Sequence, residues 1–147
     1  MVSTDEWAQS TFSKCNLGDK RRTSRLIRTA ANLASNIGRS IVKSSPTEAD
    51  IEGTYRLIRN KQVKADAIAE GGFMATGELI RSRDVVLTLE DSTSISYQHS
   101  VAEQLGYTTK FSSGPTKGFK VHNVVAYDPL QEQTLGLIEQ NRWVRDE

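Results

Sequence analysis

The chain has 147 residues, room for one ordinary domain or two small ones, and its single cysteine excludes an intrachain disulfide and a multi-cysteine zinc site. Two histidines are too few for a histidine-rich metal centre, and apolar runs of only a few residues behind an acidic start (Asp5, Glu6, Trp7) point to no membrane span and no signal peptide, hence to a cytoplasmic protein. The formal net charge of +1 hides a division: residues 1–83 hold 14 Lys+Arg against 9 Asp+Glu, residues 84–147 hold 5 against 9, and residues 20–64 alone hold 11 against 3, the footprint of a polyanion partner.

Trp7, Ala8, Thr11, Phe12 and Cys15 recur at helical spacing, which predicts a short amphipathic helix over Asp5–Lys14 with Trp7 and Phe12 turned inward. Leu17-Gly18-Asp19 ends it, with Asp19 suited to cap the next helix. From Lys20 to Ile37, Leu26, Ala30, Leu33 and Ile37 form one stripe, and Arg21, Arg25 and Arg28 fall on the opposite face. No acid lies between Lys20 and Lys43, so i,i+4 pairing along this helix is ruled out. The ridge is then either a plain solvated face or a phosphate-contacting one, with Arg22, Arg39 and Lys43 extending the candidate DNA-binding set. Gly38 closes the helix and Ser40–Ser45 reads as a polar connector.

Ser45-Pro46-Thr47-Glu48 has the order of a capping box, with Ser45 as N-cap, and starts a helix running to about Arg59. Its apolar stripe is Ile51, Tyr55 and Ile58; Arg56 and Arg59 lie beside it, Arg56 positioned for either an ion pair with Glu52 or a DNA contact. Ala65–Arg81 carries a further helical pattern, weakened by Gly71, Gly72 and Gly77, which places a bend near Gly71.

At about Arg83 the period changes from helix to strand, giving two modules, 1–83 and 84–147. Val85–Glu90 reads as a buried strand ending at Asp91, followed by hydroxyl-rich Ser92–Ser96, a helical turn at Ser100–Leu105 and a polar loop Gly106–Gly118. Lys117–Tyr127 and Thr134–Gln140 are the second and third strands, joined by a turn at Asp128-Pro129, and short connections make them antiparallel neighbours. The fold class is therefore α+β, a helical module followed by a three-stranded antiparallel meander.

An acid at the end of a first strand leading into such a meander is how RNase H-like nucleotidyl-transfer domains begin, where clustered carboxylates hold two metal ions about 4 Å apart. Asp91 is the candidate catalytic and metal-binding residue, although one carboxylate cannot hold magnesium alone and Glu90 points to the other face. The competing reading is a strand-ending acid bonded to its own following N–H groups. No glycine-rich phosphate loop and no nucleophile elbow occurs; His122 and Cys15 read as packed structural residues.

The succession Trp7-Ala8-x-Ser10-x-Phe12, Leu17-Gly18-Asp19-x-Arg21-Arg22-Thr23-x-Arg25-Leu26, Glu52-Gly53-x-Tyr55-Arg56-x-Ile58-Arg59-Asn60, Glu90-Asp91-x-Thr93-Ser94-x-Ser96-Tyr97 and Gly118-x-x-Val121-His122 resembles the N-terminal portion of bacterial transposases of the insertion-sequence-four (Tn-five-like) family. The resemblance implies a helical module recognising double-stranded DNA at the transposon's terminal inverted repeat. Arg22, Arg25 and Arg56 match DNA-touching positions, with Arg21 and Arg59 beside them. It implies that Asp91 is the first acid of an Asp-Asp-Glu triad holding Mg2+ or Mn2+ in the full-length enzyme. The family's second Asp, its Glu and its fourth strand fall beyond Glu147, so the expectation is a truncated RNase H-like domain that binds no metal stably and cleaves no DNA alone. An open edge along Val85–Leu89 makes full-length transposase a second candidate partner.

Overall fold

A computed structural model describes residues 2–111 and 114–144. The chain is α+β, five α-helices followed by a four-stranded antiparallel sheet, and divides into two compact units, residues 1–79 and 80–147. No helix among the described residues is long and apolar enough to cross a membrane.

In the first unit, α1 (Thr4–Phe12) starts at a capping box formed by Ser3 and Glu6. Ala8 is its buried residue; Trp7 stays 42% exposed and meets the edge of Phe12 at 5.7 Å between ring centroids, so only Phe12 of the expected pair joins the core. Asp19 caps α2 (Lys20–Ala34), its carboxylate accepting from Arg21 N–H at 2.8 Å. The helix stops three residues short of Ile37, which is 90% exposed, and Leu33 is also exposed. Its buried positions are Leu26, Thr29 and Ala31, so the apolar stripe read from periodicity holds at Leu26 and fails toward the C-terminal end.

The connector after Gly38 contains a short helix, α3 (Ile41–Ser44), capped by Ser40. α4 (Glu48–Arg59) is capped by Thr47 with Asp50 in the third position, not by Ser45 with Glu48. Both are hydroxyl-to-acid pairs, and the later one wins because its acid also finds partners across the helix interface. The buried face of α4 is Asp50, Thr54 and Leu57, one residue round from the predicted Ile51, Tyr55 and Ile58; Ile58 is 61% exposed. Periodicity misplaced the stripe because two of its three buried members are polar.

α5 (Ala65–Ile80) runs without a break through Gly71. That glycine is buried because a Cβ there would overlap Cys15 Sγ, and the thiol in turn reaches Ile68 O at 3.7 Å. Cys15, Leu17, Leu26 and Leu57, flanked by Phe12, Val63, Ala67 and Ile68, form the core of this unit. Burial pushes the Cys15 thiol up, so it remains a protonated core residue.

The second unit holds β1 (Leu87–Ser96), a 3-10 turn at Ser100–Gln104, β2 (Tyr107–Phe111), β3 (Gly114–Asp128) and β4 (Gln133–Trp143). β3 is central, pairing antiparallel with β1, β2 and β4. The strands expected at the ends of the meander are present, but part of the predicted polar loop is β2; Ser112 and Ser113 of that loop lie outside the described residues. β1 begins two residues later than predicted and runs through the hydroxyl stretch, because Ser92–Ser96 pair in register with His122–Gly118. It is exposed along all ten residues, not buried, and among the described residues its outer edge is unpaired. A side chain at Gly118 would run into the Ile95 carbonyl, so glycine permits the closest part of that pairing. Asp128 closes the β3–β4 turn by accepting from Leu130 N–H at 2.9 Å and Gln131 N–H at 3.1 Å.

Candidate nucleic-acid interface

α2 and α4 meet along a polar seam. Thr29 Oγ1 and Thr54 Oγ1 lie 3.0 Å apart in the buried interface, and Leu26 and Leu57 pack into the same core. Next to this pair Asp50 is 1% exposed, a burial that an ionised carboxylate tolerates only when paired and hydrogen-bonded. Arg28 faces it with Nε 2.6 Å from Oδ1 while Nη2 donates to Oδ2 at 2.8 Å. Arg25 Nη1 donates to Oδ1 at 3.1 Å, and the Thr47 hydroxyl donates to Oδ2 at 2.7 Å. The carboxylate thus has partners at both oxygens. Thr47 first, then Arg28 and Arg25, hold its pKa below the usual carboxylate range against the upward push of burial.

Gly53 completes the arrangement. The Arg25 guanidinium lies where a Cβ on residue 53 would stand, with Nε and Nη1 each 2.7 Å from that point, so glycine lets the planar group cross α4 closely. Sequence reasoning did not find this centre. Its one legible signal was Thr47-x-x-Asp50, a capping pattern that gives no hint of arginines 25 and 22 residues away.

The basic residues predicted to contact DNA therefore fall into two sets. Arg22, Arg25 and Arg28 are engaged by the fold: Arg22 Nη1 donates to Leu17 O at 2.9 Å and Nη2 to Gln62 Oε1, tying the turn before α2 to the segment after α4. The acid missing from α2 itself is supplied across the interface by α4. Side-chain exposure of 33% for Arg25 and 58% for Arg28 leaves part of each guanidinium facing water, and only some of its five donors are committed. The second set is held loosely. Arg21 pairs with Asp19 yet is 91% exposed, and Arg56 pairs with Glu52 at 76% and 64% exposure, weak ties in water. Arg59 lies over the Tyr55 ring, 5.2 Å from its centroid, while Arg39 and Lys43 are exposed, with no side-chain bond to the described residues. Both readings of Arg56 stay compatible, because an exposed pair with Glu52 yields easily to a phosphate.

Asp91 sits in the middle of β1, not at its end, opposite Asn123, whose amide oxygen accepts from Gln140 Nε2 at 2.8 Å. No group of three His, Cys, Asp or Glu suited to a metal ion occurs among the described residues. The residue across from Asp91 is a neutral amide, and a single carboxylate does not hold magnesium, so no reaction step can be built on it by itself. The interhelical centre and the exposed cations all fall between Asp19 and Gln62, and residues 4–63 match the family model described as Transposase DNA-binding. Over these residues, 60 of the 147, the chain is similar to transposase DNA-binding domains.

Proposed function

We propose that this chain is the N-terminal part of an insertion-sequence-four-type transposase and that residues 4–63 bind the terminal inverted repeat of its transposon as double-stranded DNA. The observation that carries this reading is the combination of a transposase DNA-binding match with cations sorted into fold-held and exposed sets. Exposed cations supply sequence-independent phosphate contacts, and fixed guanidinium forks suit directed contacts to base edges. On the same reading the second unit is RNase H-like and Asp91 contributes one carboxylate of an Asp-Asp-Glu triad. Mg2+ or Mn2+ would bind only where two further carboxylates join it, so cleavage and strand transfer belong to an enzyme that assembles all three. Enrichment of bound sequences from a random duplex pool tests the DNA half. A single enriched sequence, with affinity falling steeply as salt rises, is expected; equal recovery of all duplexes removes the inverted-repeat assignment.

The open outer edge of β1 favours a second reading, in which the chain associates with full-length transposase and inhibits transposition. Co-expression with an active enzyme separates the two. Inhibition that survives Arg21→Ala with Arg59→Ala acts through protein contact, and inhibition that these exposed substitutions abolish acts by occupying DNA.

A further inference from the structure

We infer that Asp50 is a specificity-determining positioning residue: it fixes the guanidinium planes of Arg25 and Arg28 and cancels part of their sequence-independent pull on DNA. The inference rests on the proposed DNA-binding reading and adds to it a role for an acid that touches no DNA.

The physical grounds are the geometry of the centre. Two arginines on successive turns of α2 converge on one carboxylate, Arg28 through two nitrogens and Arg25 through one, at 2.6 to 3.1 Å. The carboxylate is itself immobilised by its own N-cap, since Asp50 N–H donates to Thr47 Oγ1 at 3.2 Å and the hydroxyl donates back to Oδ2. Gly53 adds a flat seat for Arg25. A guanidinium so restrained loses little rotamer freedom when it meets a base edge, which favours the matching sequence over others. The same carboxylate removes one unit of positive charge from a pair of arginines. Fewer counterions are then released on random DNA, so non-specific affinity is lower than the count of arginines implies. Arg39, Lys43 and Arg59 have no such acid among the described residues and keep their full phosphate attraction, whereas Arg21 is held only by the partly exposed Asp19.

The test uses the full chain, a random-sequence duplex, and the sequence enriched from a random pool by the unaltered protein. Asp50→Asn is expected to tighten random-duplex binding several-fold and to steepen the salt slope by about one. The preference for the enriched sequence should fall by about tenfold. Asp50→Glu restores the charge and should return the salt slope to its original value, which a purely structural role would not do. Thr47→Val leaves every charge in place but removes the hydroxyl that anchors Asp50 Oδ2, loosening the carboxylate, so it should keep the salt slope and lower the preference; it also serves if circular dichroism shows Asp50→Asn unfolded. An unchanged slope in folded Asp50→Asn, or an unchanged preference in Thr47→Val, overturns the inference. Failure of the unaltered protein to bind any duplex instead overturns the DNA-binding reading on which it rests.

Discussion

Arg22 and Arg59 show how one residue type divides its work. Arg22 uses its fork inside the molecule, so Arg22→Ala should lower stability by about 1 kcal/mol, chiefly by leaving the part-buried Leu17 carbonyl without its partner, as a thermal melt would show. Arg59→Ala should leave the melting temperature nearly unchanged and reduce the salt slope of DNA binding by about one. Asp50 adds a pH signature. Its carboxyl has a folded pKa depressed from the ordinary 3.8, so its contribution to stability is fully present above that value and is lost as pH falls through the folded pKa. Melts across the acid range should show a loss below pH 3.8 that Asp50→Asn flattens. The identities of these arginines were legible in the sequence, but which of them the fold engages was not, because the deciding acid comes from another helix.

Among the elements, α5 and β1 depart most from local expectation. Three glycines weaken the helical pattern of α5, yet the helix continues unbroken through Gly71, where the missing side chain lets it approach Cys15. Gly71→Leu should therefore destabilise the helical unit by about 1–3 kcal/mol or more through overpacking, despite a better intrinsic helix propensity, and urea unfolding would measure it. The Ser92–Ser96 stretch extends β1 because β3 offers it a complete ladder of partners down to Gly118. Propensity scales place serine outside strands, but pairing with a central strand overrides a preference of this size.

For the molecule as a whole, the two units carry opposite burdens. The helical unit closes a small core around Cys15, Leu17, Leu26 and Leu57, while the sheet unit leaves Leu87 and Leu89 about half exposed on a strand whose outer edge is unpaired among the described residues. Such an edge recruits other strands. Leu89→Lys should reduce concentration-dependent association, measured by light scattering, and leave DNA affinity within twofold.

The sequence by itself determined the class and order of the major elements, the Asp19 cap, the antiparallel strands around the Asp128 turn and the concentration of positive charge before residue 64. These are local properties, written in periodicity, capping chemistry and composition. Only the tertiary structure decided which face of α4 is buried, that Asp91 lies mid-strand on an exposed edge, and that Asp50 gathers Arg25 and Arg28. Each of these depends on residues far apart in the chain, where a buried polar group is stable only because a partner from another element meets it.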